Sequence, residues 1–254
     1  MEVCALASRY IEKGGFEDNK RKVLSTGIEE LDNKIGGGIP VPSMILLEGS
    51  HGTGKTMLSF LITSTLLQRS FRVLYITTET TVKELIHKAS SAGFRILRGK
   101  FISGSLAVFS VHIAGAKWDE KLGKISLRVL SRFFGSYSDK FDAMVIDSLS
   151  ILVTYSSRDS IMDFLTFLRS ETSLGKTFII SIHPGALEES LILRLRASSD
   201  IYLYLDRVDF GGKVYKAIQV KKIYGIEMPA ESSIVFDIDP SIGFRIIPIS
   251  LSTL

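Results

Sequence analysis

The stretch LLEGSHGTGKTMLSF, from Leu46 to Phe60, contains three successive sequence patterns. An apolar run leads into a glycine-rich octet, and a helical pattern of apolar residues begins directly after it. The octet fits G-x-x-x-x-G-K-[ST] at every fixed position, the pattern of a loop whose backbone N–H groups surround phosphate oxygens. Because a strand before the loop and a helix after it are the context that the pattern requires, the stretch predicts a nucleoside triphosphate site.

The octet supplies the candidate nucleotide-binding residues. They are Gly49, Ser50, His51, Gly52, Thr53, Gly54, Lys55 and Thr56. Lys55 is expected to reach the β- and γ-phosphates, and Thr56 is expected to place its hydroxyl on Mg²⁺. His51 stands at a variable position of the pattern and is expected to face solvent.

A second Mg²⁺ ligand is predicted from FDAMVIDS, Phe141 to Ser148. A mostly apolar run that ends in Asp147 fits a buried strand which delivers a carboxylate to the C-terminal edge of a sheet. There Asp147 would hold Mg²⁺ through water. The alternative is an aspartate that only caps the following turn.

Glu79 is the candidate catalytic residue. The stretch YITTETT is expected to end a strand next to the strand of the octet, which places Glu79 at the same edge of the sheet. A carboxylate there can orient or deprotonate the water that attacks the γ-phosphate. Alternatively, Glu79 caps the helix that begins near Thr81 or is simply solvated.

Strand-like and helix-like patterns alternate along most of the chain. The predicted buried strands are Met44–Glu48, Arg72–Thr77, Leu106–His112, Asp142–Asp147 and Thr177–Ser181. The predicted helices are Lys55–Arg69, Thr81–Ala92, Leu122–Phe134 and Asp159–Glu171, and Thr80-Thr81-x-x-Glu84 offers a capping box to the second of them. This alternation predicts right-handed crossovers and an α/β fold with a mostly parallel sheet flanked by helices.

After Ile201 the pattern changes to strands alone. IYLYLDRV, KVYKAIQVKKI, SSIVFDI and FRIIPIS alternate like strands, and Asp209-Phe210-Gly211-Gly212 predicts a hairpin turn. We interpret this region as an antiparallel C-terminal extension of the same sheet. The predicted organisation is one domain over residues 23–254, preceded by a polar, flexible arm over residues 1–22.

Composition narrows the possible partners and the compartment. The net charge of +4, from 31 basic against 27 acidic residues, is too mild to indicate nucleic acid by itself. The basic stretch Lys213–Lys222 is expected to be a solvated strand face. The single cysteine, Cys4, fits a reducing compartment, and the chain shows neither a signal-peptide pattern nor a membrane-spanning run. These features predict a cytosolic protein, which could still dock on a membrane protein.

The motifs together resemble those of the RecA/KaiC-type P-loop ATPases. The lead-in LSTGIEELDNKIGGGIP, the octet, VIDS at Val145–Ser148 and the position of Glu79 are similar to that superfamily from about Leu24 to Ile226. YITTET, Trp118, SIHP at Ser181–Pro184 and the ending FDIDPSIGFRIIPIS are most similar to its archaeal flagellar (archaellum) accessory branch, FlaH. The resemblance implies an ATP-binding protein beneath a membrane-embedded motor. It would work with the motor ATPase and a membrane platform protein, and it would form a homo-oligomeric ring.

The resemblance also assigns residues, with two departures. Lys55, Thr56, Asp147 and Glu79 match the family's phosphate ligand, Mg²⁺ ligands and catalytic glutamate, but Thr80 replaces the second member of a glutamate pair. Where the family's K-x-R-G stretch reaches the neighbouring subunit's site, this chain has Lys222-Ile223-Tyr224-Gly225.

Tyr224 cannot supply the fixed positive charge of an arginine finger, which is worth about 10³–10⁵ in rate. Lys222 is the candidate trans-acting residue, since it could replace part of that charge without the bidentate geometry of arginine. The sequence therefore predicts tight ATP binding and slow hydrolysis, with the nucleotide acting as a conformational or assembly signal.

Several further residues keep two interpretations. His183 could sense the γ-phosphate or stabilise the turn at Pro184, and Trp118 could anchor a partner or pack in the core. Leu187–Arg196 predicts a contact with a partner protein or another subunit, with Arg194 and Arg196 as the residues to test.

Two other functions remain open. One is a recombinase-like ATPase that assembles on DNA, which the modest charge disfavours. The other is a KaiC-like autophosphorylating regulator, although the chain has one P-loop where KaiC has two domains.

Overall fold

A nine-stranded sheet organises the part of the chain that this computed structural model describes, namely residues 21–111, 120–224 and 233–248. The strands in chain order are β1 (Lys22–Leu24), β2 (Ile39–Val41), β3 (Met44–Gly49), β4 (Val73–Thr77), β5 (Leu106–Ser110), β6 (Ala143–Asp147), β7 (Thr177–Ile182), β8 (Ile201–Phe210), β9 (Lys213–Ile223), β10 (Ser233–Asp239) and β11 (Gly243–Ile246). The large sheet has the order β11-β10-β9-β8-β3-β7-β6-β4-β5, while β1 and β2 form a separate two-stranded sheet.

The large sheet has a parallel part and an antiparallel part, as the sequence predicts. Strands β8, β3, β7, β6, β4 and β5 run parallel to one another. Strands β9, β10 and β11 continue the sheet in antiparallel pairs beyond β8. The hairpin between β8 and β9 turns at Gly211 and Gly212, both at positive φ, as a tight turn of this kind requires. The predicted α/β fold class is thus confirmed.

Helices cover both faces of the parallel part. They are α1 (Glu29–Lys34), α2 (Lys55–Gln68), α3 (Val82–Ser91), α4 (Arg95–Ile102), α5 (Glu120–Ser136), α6 (Ser150–Thr154), α7 (Arg158–Ser173) and α8 (Glu189–Ser198). Ile45 and Leu47 of β3 join one apolar cluster with α2, α3 and α4, whereas Met44 and Leu46 join another with α5, α7 and α8. Because both faces are buried, β3 reads as a continuous apolar run.

The strand that carries Glu79 is not next to the strand of the octet, so this prediction is wrong. Strands β7 and β6 lie between β3 and β4 in the sheet. Both β3 and β4 nevertheless end at the same edge, because Gly49, Thr77, Asp147 and Ile182 all lie at the carboxyl ends of parallel strands. The crevice at that edge is where open α/β sheets bind ligands.

Local signals placed several helix and strand ends correctly. The capping box at the start of α3 is present: Glu84 N donates to Thr81 Oγ1, and Thr81 N donates to Glu84 Oε2. The segment predicted as an arm ends in two residues that belong to the folded part of the chain. Lys22 is the first residue of β1, and Arg21 forms an ion pair with Asp200. Residues 1–20 of that arm, and Trp118, lie outside the described residues.

The opposite edge of the sheet carries the end of β9. Tyr224 N donates to Asp200 O, and Asp200 N donates to Met44 O at the start of β3. Lys222 also lies on this side, where its Nζ donates to Ala197 O. Within one chain, Lys222 and Tyr224 are therefore remote from the octet. None of the helices in the described ranges is both long and apolar enough to cross a membrane.

Candidate functional site

A cavity of about 320 Å³ opens at the carboxyl edge of the sheet. It brings together the octet, the ends of β4, β6 and β7, and side chains of α3 and β9. Its lining residues are His51, Gly52, Gly54, Lys55, Thr56, Met57, Glu79, Lys88, Asp147, His183 and Lys216. The predicted ligands Lys55, Thr56 and Asp147 and the candidate catalytic Glu79 thus line one space, whereas Lys222 does not line it.

The octet turns tightly between β3 and α2, and two of its glycines are required sterically. A Cβ on Gly49 would lie 2.3 Å from Leu205 O on the neighbouring strand. Gly54 adopts a φ of 102° and directly precedes Lys55, the first residue of α2. Lys55, Thr56 and Met57 of the first turn line the cavity, so the N-terminus of α2 faces it, and the free N–H groups of a helix N-terminus favour an anion.

Lys55 is folded back onto the loop that carries it. Its Nζ donates to Gly49 O at 2.5 Å and to Ser50 O at 2.8 Å, and it lies 3.3 Å from His183 Nδ1. Burial lowers the pKa of Lys55, although the carboxylates of Glu79 and Asp147 act in the opposite direction. A buried ammonium whose partners, among the described residues, are carbonyls and an imidazole is well placed to bind a phosphate oxygen.

Asp147 is held by two hydroxyl donors at the end of β6. Tyr75 OH donates to its Oδ2 at 2.8 Å, and Ser181 Oγ donates to its Oδ1 at 2.6 Å. Burial, and then the charge of Asp147, raise the pKa of Tyr75 far above its ordinary value, so the phenol remains a neutral donor. Together with the Thr56 hydroxyl in the same cavity, this carboxylate offers the hard oxygen donors that Mg²⁺ prefers.

His183 connects Lys55 to Glu79. Its Nδ1 faces Lys55 Nζ, and its Nε2 lies 3.1 Å from Glu79 Oε1. The exposed ring of His51 packs on it, with ring centroids 3.9 Å apart. Of the two interpretations of His183, the geometry favours a role in the cavity. Glu84, not Glu79, caps α3, so Glu79 is available to the cavity with about half of its side chain exposed.

The environment of His183 predicts a specific pH dependence of stability. Burial and the nearby Lys55 ammonium lower the pKa of His183 below its ordinary 6.5, although a hydrogen bond to the Glu79 carboxylate acts in the opposite direction. Between the folded pKa and about 6.5 the unfolded chain binds more protons at this residue, so stability rises with pH through that window. We expect His183→Gln to flatten the melting temperature against pH below 6.5, and His87→Gln, at an exposed position on α3, to leave its slope unchanged. A wild-type slope retained in His183→Gln would contradict the assignment.

Arg196 has an intramolecular role that the sequence did not reveal. Its Nε and Nη2 bind Glu48 Oε2 and Oε1 at 2.9 and 2.7 Å, and Tyr202 OH donates to the same carboxylate. Glu48 directly precedes the octet, so this bidentate pair fixes the end of β3 to α8. The predicted partner contact through Arg196 is therefore not favoured, because its guanidinium is already engaged within the chain.

The sequence also missed Met57, Lys88 and Lys216 as lining residues of the cavity. Lys88 carries no local motif. Lys216 belongs to the basic stretch Lys213–Lys222 that was expected to be a solvated strand face. Its alternation with apolar neighbours was the available signal, but that signal does not say which strands flank β9.

Comparison with known proteins identifies the family. A family model described as the KaiC ATPase matches residues 24–250. The archaeal flagellar ATP-binding protein FlaH of Sulfolobus acidocaldarius is 33% identical over 231 residues, which cover 91% of this chain and 99% of that protein. The FlaH protein of Methanocaldococcus jannaschii is 29% identical over 86% of this chain and 92% of its own length.

The solved structures agree with the sequence comparison. The crystal structure of the flagellar accessory protein FlaH from Methanocaldococcus jannaschii superposes with a TM-score of 0.77 at 28% identity. It covers 90% of this chain, and this chain covers 99% of it. The chain therefore belongs to the KaiC family of ATPases and, within it, to the archaeal flagellar FlaH proteins.

Proposed function

We propose that the protein binds Mg-ATP in this cavity as part of the archaeal flagellar motor or assembly complex. The observation that carries the proposal is a complete phosphate-binding loop whose Lys55 faces a cavity shared with Asp147 and Glu79. The chain matches FlaH proteins along most of its length, and these relatives are named as archaeal flagellar ATP-binding proteins, which supports the flagellar context. Nucleotide state would control assembly into a ring and the interaction with the motor ATPase. A membrane platform protein would hold the complex at the inner face of the membrane.

Each residue then has a defined task. Backbone N–H groups of the octet and Lys55 hold the phosphates, while Thr56 and Asp147 would hold Mg²⁺, which neutralises phosphate charge when bound. Tyr75 and Ser181 keep the Asp147 carboxylate oriented by their hydrogen bonds. Glu79, positioned by His183, orients the attacking water and accepts its proton.

Slow hydrolysis follows from the charges that the site lacks. The basic residues that line the described cavity are lysines and histidines, and no arginine is among its described lining residues. Lys222 and Tyr224 lie at the far edge of the sheet, so the charge of an arginine finger on the γ-phosphate would have to come from another subunit or from a partner. The bound nucleotide therefore persists and acts as a signal in preference to a fuel.

ATP binding and single-turnover hydrolysis on the purified full chain test this proposal. We expect Glu79→Gln to retain ATP affinity within threefold and to slow single-turnover hydrolysis by about 100-fold, the lower range for a general base. Glu30→Gln, at an exposed carboxylate on α1, is the matched control and should change neither quantity. Rapid multiple turnover by the protein alone would refute the signalling role, and an absence of ATP binding would refute the proposal as a whole.

A further inference from the structure

The hairpin of β8 and β9 extends past the end of β3 and flanks the octet. Gly49, the last residue of β3, pairs with Leu205 on β8. Arg207 lies two residues farther along β8, and its partner across the hairpin is Lys216 on β9. Arg207 Nη2 donates to His51 O at 3.2 Å, so this hairpin contacts the loop directly.

Lys216 forms part of the cavity wall beside the first turn of α2. A Cβ built on Gly54 would lie 3.4 Å from Lys216 Cδ and 2.7 Å from the ring of Phe236 on β10. Lys216 lines the same cavity as Lys55 and Thr56. The antiparallel extension thus supplies one wall of the site, with a lysine on it.

The present partner of Lys216 holds it only weakly. Its Nζ lies 3.5 Å from Asp237 Oδ1, a long separation for a charged hydrogen bond, and the two side chains are 32% and 48% exposed. Ion pairs that are this exposed are screened by water and salt. A phosphate group in the cavity would offer Lys216 a more strongly charged partner, with more than one acceptor oxygen, within the same space.

We propose that Lys216 is a second phosphate ligand supplied in cis, which exchanges Asp237 for the α- and β-phosphates of the nucleotide. The assignment rests on the proposed ATP site. It specifies these two phosphates because Lys216 lies beside Gly54, where the loop N–H groups surround the α- and β-phosphates, whereas Lys55 extends to the β- and γ-phosphates. A ligand of this kind binds substrate and transition state equally. It therefore increases retention of the nucleotide without accelerating hydrolysis.

Two variants that break the same ion pair test the proposal on the full chain. Calorimetric titration with ATP and with ADP should show Lys216→Met weakening both affinities by about tenfold, the lower range for a hydrogen bond to a charged group. Asp237→Asn releases Lys216 and should tighten both affinities by about threefold, since it removes a competing and repelling carboxylate. Lys221→Met, at an exposed lysine on the same strand, is the matched control and should leave both affinities within twofold. Single-turnover hydrolysis should stay within threefold in the control Lys221→Met.

Each contrary result has a distinct meaning. Equal weakening by Lys216→Met and Asp237→Asn would show that Lys216 serves the ion pair alone, which overturns the proposal. A loss confined to ATP would overturn the assignment to the α- and β-phosphates. Lys216→Met that binds both nucleotides like Lys221→Met would overturn it as well. If the wild-type chain binds neither nucleotide, the proposed ATP site itself fails, and the inference falls with it.

Discussion

Lys55→Met should weaken ATP binding by about 200-fold or more. Lys55 is the cation that the octet places in the cavity, and its Nζ is within reach of the phosphate-binding turn through Gly49 O and Ser50 O. Charge-assisted hydrogen bonds contribute roughly 1.5–3 kcal/mol each, so the loss of bonds to two phosphates accounts for an effect of this size. Isothermal titration with ATP, in the presence of Mg²⁺, measures it.

The same substitution should leave the free protein folded. Burial lowers the pKa of Lys55, which means that the charged ammonium is disfavoured where it lies. Methionine of similar length removes this cost while leaving two carbonyls without their donor, so we expect stability without nucleotide to change by less than about 1 kcal/mol. Lys83→Met, at an exposed position on α3, is the control for the loss of a positive charge. ATP affinity within threefold of wild type in Lys55→Met would show that the octet does not hold the phosphates.

Asp200→Ala should destabilise the protein by about 3 kcal/mol, the low end for breaking a buried ion pair. The Asp200 carboxylate is 2% exposed and accepts hydrogen bonds from Arg21, Arg169 and the backbone N–H of Met44. Its removal leaves the buried Met44 N–H without an acceptor and separates the start of β3 from α7. Because Arg21 and Arg169 are partly exposed and can turn to water, the effect should not reach the upper end of the range.

Urea unfolding of Asp200→Ala and wild type measures this difference from the two midpoints. For a chain of this size, 3 kcal/mol corresponds to a melting temperature lower by roughly 6–12 °C. Asp163→Ala removes an exposed carboxylate from α7 and should change stability by less than about 0.5 kcal/mol. A loss below about 1 kcal/mol in Asp200→Ala would mean that water replaces the whole network.

The parallel core was predictable because its strands are local signals. A strand buried on both faces is a short apolar run, so β3, β6 and β7 were found within one or two residues of their ends. The order of the strands was not predictable from such runs. Strand β4 follows β3 in the chain but not in the sheet, because β6 and β7 insert between them and the crossovers that decide this are non-local.

A short helix was not predicted from the sequence for a different reason. Helix α4 has only eight residues, and Gly99 within it costs roughly 1 kcal/mol in helix propensity. It is stabilised instead by tertiary burial, since Leu97 packs in the core beside α2 and α3. Only the packed structure reveals a helix whose stability depends on its neighbours.

In the candidate site, too, local motifs could be predicted and tertiary contacts could not. Lys55, Thr56, Asp147 and Glu79 were predicted because each stands in a local motif at the end of a strand. The bridge from Lys55 through His183 to Glu79 depends on how closely the ends of β4 and β7 approach each other. The position of Lys216 depends on β8, which pairs with β3 on one side and with β9 on the other. The pairing of β3 with β8 joins residues that are more than 150 positions apart in the chain. Neither contact can be predicted from any single stretch of sequence.

The separation of the two sheet edges restricts how copies of the chain can cooperate. The octet lies at the carboxyl edge, and the end of β9 with Lys222 lies at the amino edge. If Lys222 of one copy acts on the nucleotide of the next, each copy uses a different edge for each of its two neighbours. Such a heterologous contact repeats by rotation into a closed cyclic assembly, or by rotation with translation into a filament. A two-fold symmetric pair would have to bury both edges in one contact, so cooperation through Lys222 selects cyclic or helical symmetry over a simple dimer.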